Sequence, residues 1–233
     1  MIKVGIIGTG NIGTDLLLKL LREPHLKPVI FSGRRMSSDG IQVAIKHGVN
    51  VTDKGINYFI DNPNCCDVVY DCTSASDAVN HAKVFAEQGI KVVDLTPAKV
   101  GDLCVPSINP EVIDINNNVN MITCGGQASM PLLNLISKHC KGLEYIEIVS
   151  QIASKSAGMA TRLNIDNSIH TTERAIREFT GCNDCKVILN LNPAEPCVDM
   201  QTTMFIKSQK VNFEVLVEEI YKKIKELETY IPH

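Results

Sequence analysis

The chain has 233 residues, 44% of them hydrophobic and 21% charged, and a formal net charge of −3. That length suits one large domain or two small ones with a sizeable core, and so mild a charge excludes an electrostatic nucleic-acid or membrane-surface binder. No apolar run approaches the ~18 residues of a membrane span, and an odd count of nine cysteines points to free thiols in a reducing, cytoplasmic setting.

In chain order, Ile2–Ile7 reads as a strand that starts at once, so no leader segment is expected. Gly8-Thr9-Gly10-Asn11-Ile12-Gly13 follows, a G-x-G-x-x-G, and then an apolar helix from Thr14 to Leu21. Strand, glycine loop and helix in that order are the first turn of a dinucleotide-binding βαβ unit. The glycines permit a tight turn, close approach of backbone to a pyrophosphate, and close helix–strand packing. Next come a strand over Lys27–Ser32, a helix over Ser38–His47, a short helix near Gly55–Ile60, a strand over Asp67–Asp71, a helix over Ser76–Gln88 and a strand over Ile90–Asp94. These strands are near-continuous apolar runs, the pattern of a parallel sheet covered on both faces. Leu95–Val119, with Pro97, Pro106, Pro110 and three consecutive asparagines from Asn116, reads as an irregular crossing.

Val119–Thr123 reads as a short strand and Leu132–Cys140 as a helix, with Cys124-Gly125-Gly126 between them. A thiol on a Gly-Gly turn beside a helix N-terminus sits where the dipole and open N–H groups favour thiolate and bind an oxyanion. Cys124 is therefore the candidate nucleophile; the alternative for any of these cysteines is a buried structural thiol. Further on, Leu143–Ile152 alternates as a strand, with Tyr145, Glu147 and Val149 opposite Ile146, Ile148 and Ser150. Ser154–Asn164 reads as a polar, basic loop, Thr171–Phe179 as a helix, and Lys186–Leu191 and Thr202–Ile206 as strands. Phe213–Leu227 is an amphipathic helix with Phe213, Val217, Ile220, Ile224 and Leu227 on one face. Cys182-x-x-Cys185 has neither a second pair nor a histidine cluster, so no metal site is expected. The expected fold is α/β: a Rossmann-type doubly wound parallel sheet over residues 1–123, then a smaller α+β domain over 124–233 that opens on Cys124.

Several stretches then line up in order along almost the whole chain. They are Gly8 through Leu16, Val93-Asp94-Leu95-Thr96-Pro97-Ala98, Asn118 through Pro131, Ser154-Lys155-Ser156-Ala157-Gly158, Thr161-Arg162-x-Asn164-Ile165-Asp166, Thr171-Thr172 and Asn192-Pro193-Ala194-Glu195-Pro196. In these the chain resembles the acylating acetaldehyde dehydrogenase family, CoA-dependent enzymes that partner 4-hydroxy-2-oxovalerate aldolase in the meta-cleavage pathways of aromatic hydrocarbon catabolism. The resemblance implies that Cys124 carries an acyl thioester, with a small aldehyde as substrate, NAD as cofactor and coenzyme A as co-substrate. It further implies that Thr9, Gly10, Asn11 and Ile12 hold the dinucleotide phosphates. Ser156, Ala157, Gly158, Met159, Ala160, Thr161, Arg162, Leu163 and Asn164 would lie along the cofactor, Arg162 as partner of an anionic group or, alternatively, in a structural ion pair. A homo-oligomer and an aldolase partner are implied as well, and no nucleic-acid or membrane partner.

Four departures from the family pattern stand out. An Arg-Asp pair, whose Asp assists the cysteine, is replaced by Gln201-Thr202, and Asp199 lies an odd offset away on a strand. A Gly-Pro-Gly loop becomes Gly158-Met159-Ala160, removing a glycine suited to positive φ. After the second strand, Ser32-Gly33-Arg34-Arg35 replaces a ribose-binding acidic residue, which leaves NAD and NADP both open. The chain ends at Tyr230-Ile231-Pro232-His233, several dozen residues before family members do. Two other functions stay open: a semialdehyde-dehydrogenase-like cysteine reductase without CoA, and a catalytically impaired homologue that binds dinucleotide or an aldolase.

Overall fold

A computed structural model describes residues 1–231, at Ala160 the backbone alone, so the final Pro232 and His233 lie outside the described residues. The chain divides into two compact units. The first comprises Met1–Leu103, Glu111–Met121 and Gly158–Asn164; the second comprises Cys104–Pro110, Ile122–Ala157 and Ile165–His233.

The first unit opens with β1 (Ile2–Ile7), α1 (Asn11–Leu20), β2 (Leu26–Ser32), α2 (Asp39–Lys46), β3 (Val51–Thr52) and α3 (Ile56–Asp61). It continues with β4 (Val68–Asp71), α4 (Ala75–Glu87), β5 (Lys91–Asp94), β6 (Asp102–Leu103), α5 (Val112–Ile115) and β7 (Asn118–Asn120). Its strands form one seven-stranded sheet in the order β3-β2-β1-β4-β5-β7-β6, and every pairing is parallel. Successive β1 residues feed opposite faces, as the two-residue period of a strand requires. Val4 and Ile6 join Leu17, Leu20, Phe31 and Ile41 on one side, while Ile7 joins Ile30, Phe59, Val69 and Phe85 on the other. Phe31, Phe59 and Phe85 are fully buried, each contributing about 1.5–3 kcal/mol by removal from water. A sheet with apolar clusters on both faces is the expected doubly wound architecture, and its strand order reverses between β1 and β4, where such sheets bind ligands.

The crossing over Leu95–Val119 is more ordered than the sequence suggested: it contains β6, α5 and the first residues of β7. The short β3 was not foreseen either. Two-residue strands carry too little pattern to be read, and pairing to a neighbour creates them.

In the second unit, α6 (Cys124–His139) leads directly into β8 (Cys140–Ala153). The next helix, α7 (Met159–Leu163), belongs to the first unit; α8 (Ile165–Thr180), β9 (Cys185–Asn192), β10 (Gln201–Val211) and α9 (Phe213–Leu227) complete the second. A three-stranded sheet runs in the order β10-β8-β9, antiparallel between β8 and β10 and parallel between β8 and β9. Ile146, Ile148, Ser150 and Ile152 form its buried face, as the alternation predicted.

Three expectations need correction. The segment Ser154–Asn164 is not a continuous loop, because its second half coils into α7; Ala160 lies inside that right-handed helix, so this chain has no call for positive φ there. Helix α8 starts six residues before Thr171, across Asn167, Ser168 and His170, residues of modest helix propensity. On α9 the inward stripe is Leu216, Ile220, Lys223 and Ile224, whereas Phe213 and Val217 stay 71% and 48% exposed.

Candidate active site

The glycine loop follows β1 as foreseen, and its three glycines have separate physical roles. Gly8 adopts φ +106°, and a Cβ there would strike the Cys72 carbonyl at 2.5 Å. A Cβ on Gly13 would lie 2.0 Å from the Gly8 carbonyl oxygen, so α1 packs on the loop only without one. At Gly10, by contrast, a Cβ would meet nothing within 4 Å. Gly10 is the N-cap of α1 and contributes no side-chain cap, and the first turn holds no acidic residue. Helix N-termini present amides without intrahelical acceptors and favour anions. Above this end lies a groove of about 650 Å³ bordered by Thr9, Gly10, Asn11, Thr14, Arg35 and Ser38. The open space at Gly10, the uncapped amides and this groove fit the pyrophosphate of a dinucleotide.

Of the residues expected along the cofactor, Gly158, Met159, Thr161, Arg162, Leu163 and Asn164 fall in the same unit as this loop. A Cβ on Gly158 would approach Asn11 Nδ2 at 3.9 Å. Met159 and Leu163 expose 74% and 76% of their surface, and Ile12 59%, giving this edge an apolar character suited to a flat aromatic ring. Arg162 is exposed on α7; Ala160 shares that helix, its side chain outside the described residues. Ser156 and Ala157 fall in the other unit, where Ser156 Oγ donates to the Ala153 carbonyl at 2.8 Å.

Two buried carboxyls end the neighbouring strands. Asp71, at the end of β4, lies 2.7 Å from His81 Nδ1. Asp94, at the end of β5, accepts from Thr96 N at 2.7 Å and from Asn120 Nδ2 at 2.9 Å. Burial pushes the Asp94 carboxyl up to about 7 against the pull of these donors. Neither was given a role from sequence, although an Asp closing each of two successive apolar runs, Val-Val-Tyr-Asp and Val-Val-Asp, was a legible signal.

In the second unit, α6 starts at Cys124 itself, eight residues earlier than expected, and runs through Pro131. Cys124 is thus the exposed first residue of a 16-residue helix rather than part of a turn before one. Thr123 caps the helix, its Oγ1 accepting from Gly126 N at 2.9 Å. The positive φ of this junction falls on Ile122, at +62°, and not on the glycines. Gly125 and Gly126 are helical and serve close packing: a Cβ on Gly125 would strike Ser150 Oγ at 2.6 Å, and one on Gly126 would strike Ile122 Cγ2 at 2.5 Å.

Hydroxyls surround this helix end. Thr123 Oγ1 lies 2.8 Å from Thr172 Oγ1 on α8, and Ser150 Oγ lies 3.2 Å from Thr202 Oγ1 across the β8–β10 ladder. Sequence reasoning flagged Thr202 but missed Ser150, Thr123 and Thr172 as neighbours, since contacts 49 and 52 residues apart leave no local pattern. Gln201 turns to the opposite face and accepts from Gln151 Nε2 at 3.3 Å. Asp199 precedes β10, outside the ladder.

Among the nine cysteines, Cys124 and Cys197 are the exposed ones. Burial pushes the thiols of Cys65, Cys72, Cys182 and Cys185 up, and that of Cys66 to about 12. Cys182 and Cys185 spend their sulfurs on the carbonyls of Asp184 and Glu173. Among the described residues, no helix is long and apolar enough to cross a membrane.

Residues 3–116 match the family model described as semialdehyde dehydrogenase, NAD binding domain, and residues 124–233 the one described as prokaryotic acetaldehyde dehydrogenase, dimerisation. The acetaldehyde dehydrogenase of Pectobacterium atrosepticum is 47% identical over 233 residues, covering 99% of this chain and 79% of the relative. That of Spirochaeta aurantia is 49% identical over 231 residues, covering 99% and 78%. In fold the chain is similar to two solved aspartate semialdehyde dehydrogenases. The one from Candida albicans has a TM-score of 0.65 and 18% identity, covering 94% of this chain and 75% of that one. The second enzyme of Vibrio cholerae has a TM-score of 0.68 and 15% identity, covering 95% and 79%. The chain belongs to the acetaldehyde dehydrogenase family of NAD(P)-dependent oxidoreductases.

Proposed function

We propose that this chain oxidises a short aldehyde to its acyl-CoA through a thioester on Cys124, with residues 1–123 as dinucleotide-binding domain and 124–233 as catalytic and dimerisation domain. The observation that carries the proposal is Cys124 as the exposed first residue of α6, where a helix dipole favours negative charge. Thr9, Gly10, Asn11 and Ile12 would hold the phosphates of NAD or NADP, with Gly158 to Asn164 beside them and Ser156 and Ala157 leading into that stretch. The bound dinucleotide supplies the two-electron acceptor.

Cys124 Sγ, having given up its proton, adds to the aldehyde carbonyl carbon and forms a C–S bond, leaving an alkoxide on the former carbonyl oxygen. Helix amides at an N-terminus are placed to take such an oxyanion. As that oxygen regains its double bond, the aldehyde hydrogen departs with its electron pair, and a thioester remains on Cys124. The thiol of coenzyme A then attacks the thioester carbon, the Cys124 C–S bond breaks, and acyl-CoA leaves. The balance is aldehyde, CoA thiol and oxidised dinucleotide to acyl-CoA, reduced dinucleotide and one proton. The match to a dimerisation domain supports a homo-oligomer; an aldolase partner and a cytoplasmic setting complete the reading.

The test is to trap the acyl-enzyme. Acetaldehyde and oxidised dinucleotide without CoA should leave an acetyl group on the peptide carrying Cys124, and added CoA should release it as acetyl-CoA. Cys124→Ser should lower turnover at least about 10⁴-fold and leave dinucleotide binding unchanged. Turnover that ignores CoA would instead favour a semialdehyde-dehydrogenase-like reductase. One observation supports a second reading, an impaired homologue: position 202, where family members place an assisting Asp, offers only a threonine hydroxyl to Ser150.

A further inference from the structure

We propose that Arg35 grips the 2′-phosphate of NADP and makes this chain prefer NADP to NAD, an inference that rests on the dinucleotide reading of the Gly8–Gly13 groove. The argument starts at the end of β2. Ser32 is fully buried and donates to the Gly55 carbonyl at 2.9 Å, so its hydroxyl is committed inward. Gly33 passes directly beneath the glycine loop, where a Cβ would come within 2.7 Å of Thr9 Cγ2. The next two side chains diverge. Arg34 extends toward Asp77, with 4.0 Å between guanidinium and carboxylate. Arg35 borders the groove together with Thr9, Ser37 and Ser38, and it makes no ion pair among the described residues. Ser38 is the N-cap residue of α2, yet its side chain does not cap the helix; it sits 3.1 Å from Thr9 Oγ1, tying this wall to the glycine loop.

A carboxylate at this place in a dinucleotide fold accepts from the adenosine ribose hydroxyls and repels a 2′-phosphate. A guanidinium reverses both effects, because it donates up to two parallel hydrogen bonds to phosphate oxygens and carries the opposite charge. Of the two carboxylates that border the same groove, Asp15 is paired with Lys19, which leaves Asp39, the first residue of α2, as the opposing group. If Asp39 took the ribose hydroxyls, the groove would favour NAD. Arg35 and Asp39 therefore make opposite predictions.

Calorimetric titration with adenosine 2′,5′-bisphosphate and adenosine 5′-monophosphate isolates this end of the cofactor, and NADP and NAD repeat the comparison on the whole molecule. The wild type should bind each 2′-phosphorylated ligand at least about 10-fold tighter than its partner, the scale of a charged hydrogen bond. Arg35→Gln should erase that preference, Arg34→Gln should keep it, and Asp39→Asn should tighten the 2′-phosphorylated ligands while leaving their partners unchanged. Thermal melting checks that each variant is folded. A wild type without the preference, an Arg35→Gln loss equal for both ligands, or an Asp39→Asn variant that loses only the monophosphate would overturn the proposal. Failure of the wild type to bind any of the four ligands would overturn the dinucleotide reading itself.

Discussion

At the first strand-to-helix junction, Ile7 to Asn11, the left-handed residue is Gly8 at φ +106°, and at the second, Ile122 to Gly126, it is the buried Ile122 at φ +62°. Glycine reaches that conformation without steric cost. A β-branched residue does so at roughly 1–3 kcal/mol, and persists only where the surroundings hold it. Here burial and contact with Gly126 hold it. The two junctions also differ in what lies around them. The unit holding the first buries the carboxyls of Asp71 and Asp94 at its strand ends. The helix end at Cys124 is ringed by the hydroxyls of Thr123, Ser150, Thr172 and Thr202. A junction without reactive side chains suits binding through backbone amides. One led by an exposed thiol among neutral hydroxyls suits a nucleophile.

The largest expected effect comes from closing the first junction. Gly13→Ala places a methyl 2.0 Å from the Gly8 carbonyl oxygen, a backbone clash worth about 4 kcal/mol or more, and should unfold the glycine-loop unit in a denaturant titration. Gly10→Ala adds the same methyl to open space. It should cost only about 0.5–1 kcal/mol as a poorer N-cap, while weakening dinucleotide binding by about 10-fold or more, the loss of one charged hydrogen bond. Equal stability losses in the two variants would mean that the loop glycines share one role.

Next in size is Thr202→Asp, which brings a carboxylate into the hydroxyl ring. Residue 202 reaches Ser150 Oγ at 3.2 Å, and that atom sits 2.6 Å from where a Gly125 Cβ would be. A general base is worth about 10²–10⁴ in rate. Steady-state turnover of acetaldehyde should therefore rise about 100-fold. A fast wild type that gains nothing would mean another residue serves as base, and the impaired-homologue reading would fall.

The same contrast explains what the sequence made legible. Glycine spacing after an apolar strand is a local signal, so the first junction and the doubly wound sheet could be read directly. At the second, Cys124 and its glycines were visible, but the helix expected from Leu132, just after Pro131, begins at Cys124. A proline eight positions into a helix costs one backbone bond and strains the turn before it. Close packing of α6 on Ser150 and Ile122 offsets that cost, and such packing is set by residues distant in sequence. The turn was expected on Gly125 and Gly126, whereas the left-handed residue of the junction is Ile122. Nothing local to Ile122 marks it as the exception. On α9, periodicity allowed two overlapping stripes, and Lys223 joined the inward one by extending its amine to the Ser107 carbonyl at 3.2 Å.

The smallest effect sharpens the carboxyl side of the comparison. Asp94 is 1% exposed, and burial raises its carboxyl from an ordinary value near 4 to about 7, with the donors Thr96 and Asn120 pulling the other way. Between those two pH values the unfolded chain releases this proton while the folded chain keeps it. Stability from Asp94 is thus fully present below pH 4, falls as pH rises through 7, and then levels off. Asp94→Asn removes the titration. Its amide also turns an NH₂ group toward one of the two donors, Thr96 N or Asn120 Nδ2, a cost that does not vary with pH. Chemical denaturation of both proteins from pH 4 to 9 should show the wild type's advantage shrinking up to about pH 7 and constant beyond. An advantage that grows with pH would mean that the Thr96 and Asn120 hydrogen bonds hold Asp94 ionised, as a carboxylate binding the end of β5 to the end of β7.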